Sequence, residues 1–148
     1  MTFQHAAGYA GDLLATDAYE VLAGDANSML VDVRTAVEWT YVGTPNLDSL
    51  GKTVIFLEWQ SYPSMKIDGD FPPRLEAMLE AVRVEKSTSL LFLCRSGVRS
   101  RSAAVAMTSA GWPRCFNISD GFEGPLDSLR HRGIVGGWKA RGLPWAQT

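Results

Sequence analysis

Leu90-Leu91-Phe92-Leu93-Cys94-Arg95-Ser96-Gly97-Val98-Arg99-Ser100 is the stretch on which the fold turns. Leu90 to Leu93 is a short apolar run with no polar alternation, the pattern of a strand covered on both faces. A polar turn with one glycine follows. From Val98 to Ala110 small residues dominate, and Gly111 and Pro113 close the segment as they close helices. A buried strand that turns tightly into a helix is the building unit of parallel α/β sheets. Such sheets form their sites where the carboxyl ends of strands meet helix N-termini.

The same alternation extends outward in both directions. Met29 to Val33, Thr53 to Leu57 and Cys115 to Ile118 are further buried-strand patterns. Thr16 is placed to cap a helix that carries Ala18, Val21 and Leu22 on one face, with Gly24 as its left-handed terminus. Pro72 and Pro73 suit a helix start, and Leu75, Met78, Leu79 and Val82 then form an i, i+3, i+4, i+7 stripe. Beyond Asp120 the periodicity weakens and glycines recur, with one short helical turn expected over 138–141. The pattern implies a mainly parallel sheet with helices on both faces.

Composition narrows the function classes. The chain has 148 residues, 46% of them hydrophobic and 20% charged, the proportions of an ordinary globular domain rather than of a disordered segment. A net charge of −2 argues against a broad nucleic-acid-binding face but allows a local cationic pocket. Two cysteines are too few for a disulfide scaffold. The opening residues carry no basic cluster and no long apolar run, and no later apolar stretch approaches a membrane span. We therefore expect a cytoplasmic protein with neither nucleic acid nor membrane as a partner.

The Cys94 turn carries the chemistry. Backbone N–H groups at a helix start point outward with partial positive charge, and wrapped around a sulfur they favour its anion. Arg95 and Arg99 add formal charge, and Gly97 lets the backbone come close. The plainer alternative is a small buried hydrophobe ending a strand, as most free cysteines are. Two arginines, a glycine and a helix start within a few residues speak against it.

Cys94-Arg95-Ser96-Gly97-Val98-Arg99-Ser100 resembles the CRSGxRS active loop of the rhodanese-like sulfurtransferases. Asp32-Val33-Arg34 followed by Glu38-Trp39 is similar to that family's second signature, and Asp120-Gly121-Phe122 and Gly136-Gly137-Trp138 look like its closing glycine segments. The resemblance covers about residues 15–145 and implies a single rhodanese-like domain spanning 1–148. It implies a five-stranded, mainly parallel sheet, the fifth strand lying around Asp12 to Ala15. Two departures stand out. Gly43-Thr44-Pro45-Asn46-Leu47 lacks the histidine of the family's Gly-His-Ile-Pro-Gly-Ala segment, and Pro125 to Val135 looks like an insertion.

The activity so implied is transfer of a sulfane sulfur through a Cys94 persulfide. The donor would be thiosulfate or a protein persulfide, and the acceptor a thiol or cyanide. Cys94 would be the nucleophile, with Arg95, Ser96, Gly97, Val98, Arg99 and Ser100 forming the anion-binding loop, and no cofactor or metal is called for. Two other classes are weighed against it. A cysteine-dependent phosphatase or arsenate reductase needs arginine six residues after the cysteine, where this chain has Ser100. A non-catalytic rhodanese-like module is the other: as an interaction module it would usually lack the cysteine that this chain keeps with its arginines, whereas as a sulfur carrier it would hold the sulfur on that same cysteine.

Supporting roles are expected of Asp32, Arg34 and Trp59. Asp32 and Arg34 either brace the active loop or form part of a local ion-paired turn, with Arg34 joined to Glu38; the second is the simpler expectation. Trp59 either walls the pocket or packs as ordinary loop core. Arg130-His131-Arg132 reads as a solvated surface turn. Neither His5 nor His131 has a second ligand at metal spacing. Cys115 begins its strand whereas Cys94 ends one, so the two should lie at opposite sheet edges, out of disulfide range.

Overall fold

The computed structural model describes residues 3–148. In chain order the first half contains β1 (Gln4–Ala6), β2 (Tyr9–Leu13), α1 (Ala15–Gly24), β3 (Met29–Asp32), α2 (Ala36–Tyr41), β4 (Thr44–Pro45) and β5 (Ile55–Phe56). The second half contains β6 (Gln60–Ser61), β7 (Lys66–Ile67), α3 (Phe71–Ala81), β8 (Leu90–Leu93), α4 (Val98–Ser109), β9 (Cys115–Ile118) and β10 (Trp145–Ala146). Six strands form the main sheet in the order β1-β2-β9-β8-β3-β5. All its pairings are parallel except the β1–β2 hairpin at one edge.

Helices cover both faces. Leu30, Leu91, Leu93, Phe116 and Ile118 point to the face packed by Ala15, Ala18 and Leu22 of α1, where Phe122 and Trp138 join them. Val31, Leu90, Phe92 and Cys115 point to the face packed by Phe71, Leu75 and Leu79 of α3 and by Ala103, Ala104 and Met107 of α4. The small side chains of α4 let its backbone lie close against β8 and β9. All four residues of β8 are buried because that strand is covered from both sides.

Several sequence expectations need correction. The sheet has six strands rather than five, because Gln4–Ala6 folds back on β2 as an antiparallel edge strand. Its neighbour spans Tyr9–Leu13 rather than Asp12 to Ala15. The first helix begins at Ala15, so Thr16 lies inside it. Its end is capped from far away, as the Ala15 N–H donates to Asp120 Oδ1 at 2.8 Å. Gly24 stays helical and Asp25 is the extended residue that ends the helix. Met78 and Val82 of the α3 stripe are exposed, which leaves Phe71, Leu75 and Leu79 as the buried row. Among the described residues no helix is long and apolar enough to cross a membrane.

Candidate active site

β8 delivers Cys94 to the carboxyl edge of the sheet, and α4 begins four residues later. Cys94 is only 1% exposed and forms the floor of a cleft. The Gly97 N–H donates to Sγ at 3.1 Å, and Ser100 Oγ lies 3.1 Å from the same sulfur. Gly97 has φ 99, a left-handed conformation that side chains rarely adopt, and a Cβ there would overlap the Ser119 carbonyl oxygen. No larger residue could hold this turn so close to the sulfur without moving the loop.

The segment after β9 supports the loop from behind. The Phe122 N–H donates to the Cys94 carbonyl at 2.8 Å, and the Glu123 and Gly124 N–H groups donate to the Arg95 carbonyl at 3.0 and 3.2 Å. Asp120 anchors that segment with both carboxylate oxygens: Oδ1 accepts from Ala15 N and Oδ2 accepts from Gly137 N at 3.0 Å. The Asp-Gly-Phe and Gly-Gly-Trp glycine segments are thereby joined into one platform. Asp120 is the residue whose part in it sequence reasoning did not single out, since its partners lie far along the chain.

Ser100 is tied in turn to β9. Its hydroxyl donates to Asn117 Oδ1 at 2.5 Å, and Asn117 Nδ2 donates to Asp12 Oδ1 at 3.0 Å and to the Gly97 carbonyl at 3.1 Å. Both Nδ2 partners are pure acceptors, which fixes the orientation of the amide. Asn117 therefore holds the turn and the hydroxyl together, a task that its place inside a strand concealed.

The charged residues are paired differently from expectation. Arg34 does not join Glu38. It forms a fully buried ion pair with Asp32, Nη2 to Oδ2 at 2.7 Å, donates to the Gly43 carbonyl at 2.8 Å, and lies 4.2 Å over the Phe122 ring. The pair wins because both groups are dry and two residues apart, where a carboxylate strongly rewards a bidentate guanidinium. Arg34 thereby packs on the ring of the residue whose N–H donates to the Cys94 carbonyl.

Glu38 instead joins Arg99, Oε1 to Nη1 at 2.7 Å and Oε2 to Nη2 at 2.9 Å. Thr35 and Glu38 also form a reciprocal capping box at the start of α2. Burial alone would raise the Glu38 carboxyl, but the Arg99 guanidinium and the Thr35 donors outweigh it and hold it below the usual range. Burial likewise works against the Arg99 charge, and Glu38 more than restores it.

The cleft over Cys94 has a volume of about 700 Å³. One wall carries Glu38 and Arg99, a second carries Gln60 and Met65 around the β6–β7 hairpin, and a third carries Leu126, Arg130 and Arg132. Arg95 also faces it. Ser96 and Val98 line it as well, so Arg95, Ser96, Val98 and Arg99 border the cleft, while Gly97 and Ser100 are the loop residues that touch the sulfur. Trp59 is not among the lining residues; it packs edge-on against Phe71, with ring centroids 5.1 Å apart. The Arg130-His131-Arg132 stretch is not merely a solvated turn, because two of its three residues face the cleft. Their local charge resembles a surface turn, and only the fold brings them over the cysteine.

Cys115 sits at the other end of its strand, paired in register with Leu90. Burial pushes its thiol up to about 12. Both cysteines are free.

A strand-borne cysteine in a helix-starting turn, on a parallel sheet clad on both faces, defines a rhodanese-like α/β domain. The chain belongs to the family described as the STR4 middle domain, whose model matches residues 11–148. It is similar to Rv0390 from M. tuberculosis, with 42% sequence identity, a TM-score of 0.84, and coverage of 95% of this chain and 99% of that one. It is 27% identical over 133 residues to the chloroplastic rhodanese-like domain-containing protein 4 of Arabidopsis thaliana, matching 90% of this chain and 25% of that longer protein. In fold it is similar to the polysulfide-sulfur transferase homodimer of Wolinella succinogenes, with a TM-score of 0.56, 20% identity, and coverage of 93% of this chain and 78% of that one.

Proposed function

We propose that this protein is a sulfurtransferase that carries a sulfane sulfur on Cys94. The observation that carries the reading is the Cys94 sulfur itself, at the cleft floor with the Gly97 N–H 3.1 Å away and arginines on the walls above. In the first step the Cys94 thiolate attacks the outer sulfur of the donor. With thiosulfate, the S–S bond breaks, sulfite leaves with the bonding pair, and a Cys94 persulfide remains. In the second step an acceptor thiolate or cyanide attacks the outer sulfur, and the Cys94 thiolate is the leaving group. Negative charge gathers at the cleft floor in both steps, where a fixed N–H dipole and nearby guanidinium groups stabilise it.

The phosphatase alternative fares poorly on geometry. The residue six places after Cys94 is Ser100, buried and committed to Asn117, and the neighbouring Arg99 is held by Glu38. Neither offers a free guanidinium fork to encircle a phosphate. Transfer of sulfur from thiosulfate to cyanide, followed as thiocyanate release, tests the reading. Turnover by the native protein, with mass spectrometry finding one added sulfur on the peptide holding Cys94, is the expected result. No sulfur adduct with either thiosulfate or a cysteine persulfide would overturn it.

A further inference from the structure

We propose that the 125–135 segment, with Arg95 and Val98, forms a docking surface for a partner protein that offers its cysteine on an acidic, apolar segment. The proposal rests on the sulfur-transfer reading and adds the class of partner.

The segment is built, not slack. Asp127 Oδ1 accepts from the N–H groups of Leu129 and His131 at 2.9 and 2.8 Å, and the Asp127 N–H donates to the His131 carbonyl at 2.8 Å. The Arg132 Nη1 donates to the Gly124 carbonyl at 2.9 Å, tying the segment to the loop platform. A turn held this way could have folded its apolar residues inward. It does the opposite: Leu129 is 73% exposed and Ile134 64%, and Leu126 and Val135 are exposed beside them. Val98, at the start of α4 on the cleft rim, is 65% exposed. Single exposed apolar side chains are commonplace, but several on one short segment beside a reactive group mark a surface that another molecule covers.

Charge supplies the chemistry of that molecule. Arg95, Arg130 and Arg132 face the cleft, and none forms an ion pair among the described residues. Glu123 is the unpaired acid beside them. The whole chain carries −2, so this cationic patch stands against the net charge of the molecule. Arginine set among apolar side chains is the composition of a protein interface, and charge of one sign steers a partner of the other. A small oxyanion such as thiosulfate would need the arginines but not Leu129, Ile134 and Val98. An acidic, apolar segment uses both.

In the step concerned, the partner's cysteine thiolate attacks the outer sulfur of the Cys94 persulfide. The Cys94–S bond to that sulfur breaks, the Cys94 thiolate leaves, and the partner holds the persulfide, with no net oxidation. The test uses the native full chain, loaded with thiosulfate and freed of excess donor. Two synthetic peptides serve as acceptors, Asp-Leu-Cys-Leu-Glu and Lys-Leu-Cys-Leu-Lys, both with blocked ends, alongside glutathione and cyanide. The acidic peptide should unload the persulfide about tenfold faster than its basic twin at low salt, and the ratio should shrink as salt rises. Charge reversal by Arg130→Glu with Arg132→Glu should invert the preference. Leu129→Ser with Ile134→Ser should slow the acidic peptide several-fold and leave the cyanide rate unchanged. Equal rates for the two peptides, or glutathione served as well as the acidic peptide, would overturn the docking proposal. Failure of Cys94 to load sulfur at all would instead strike the sulfur-transfer reading beneath it.

Discussion

Two cysteines sit on adjacent parallel strands of this protein and meet opposite fates. Cys94 follows the last residue of β8, where a helix N-terminus, a glycine turn and guanidinium groups surround it. Cys115 is the first residue of β9, where its thiol donates to the Trp112 carbonyl at 3.2 Å, and burial raises it to about 12. Both are almost fully buried, so exposure does not distinguish them. Strand direction does. The carboxyl edge gathers turns that open into helices and present N–H groups, while the amino edge receives the ends of helices and presents carbonyls. One residue type becomes a candidate nucleophile at one edge and inert filling at the other.

The sharpest way to break this contrast is to remove each sulfur in turn. Cys94→Ala should lower thiosulfate-to-cyanide turnover by at least about a thousandfold with the thermal transition intact, whereas Cys115→Ser should stay within about twofold of native turnover. Comparable losses in the two variants would end the assignment of Cys94 as sole nucleophile. Next in size is Gly97→Ala. A Cβ there meets the Ser119 carbonyl, so the loop must shift, and sulfur loading followed by mass spectrometry should fall by roughly tenfold or more, with a stability cost of about 1–3 kcal/mol.

A smaller effect separates charge from packing. Arg99→Ala should raise the KM for thiosulfate about fivefold, while Glu38→Gln, which releases Arg99 from its partner, should leave that KM no higher than native. If both variants lose donor affinity alike, the ion pair acts as scaffold and not as charge. The same pair has a pH signature. The folded chain holds the Glu38 carboxyl below its ordinary 4.5, so acid favours the unfolded chain, which binds the proton more readily. The stabilisation from this pair, about 1 kcal/mol, is complete above 4.5 and fades as pH falls through the lower folded value. Melting curves of the native protein and Glu38→Gln should therefore converge below that pH, and a gap that widens there would refute the pairing.

The smallest expected effect concerns Cys115. Iodoacetamide at neutral pH should label Cys94 and leave Cys115 untouched in the folded protein. Mild oxidation should leave the two unlinked. Cys115 is level with Leu90, so Cys94 lies four residues further along, about 13 Å of strand, beyond the roughly 7 Å that a disulfide spans. A linked peptide would contradict the parallel register.

The β8-turn-α4 unit was legible in the sequence because its determinants are local: unbroken apolarity, one glycine, and small residues up to Gly111. What escaped depends on distant partners. The first helix draws its cap from Asp120, 105 residues away, which no scan for a nearby Ser, Thr or Asp could find. Tyr9-Ala10-Gly11-Asp12-Leu13 reads poorly as a strand because Gly11 interrupts it. Gly11 is there because a side chain would strike the Gln4 carbonyl of β1. Arg34 had two carboxylates within reach along the chain, and only burial decided for Asp32. The 125–135 segment has the composition of a surface turn, and its position over Cys94 is a property of the fold alone.

The hydroxyl of Ser100 owns a single hydrogen and stands between two claimants. Asn117 Oδ1 takes that hydrogen at 2.5 Å, and the amide cannot turn away, because its nitrogen is engaged by Asp12 and Gly97. The Ser100 oxygen also lies 3.1 Å from the Cys94 sulfur, so a single hydroxyl joins the floor of the cleft to β9 and makes the neighbouring strand part of the sulfur's surroundings.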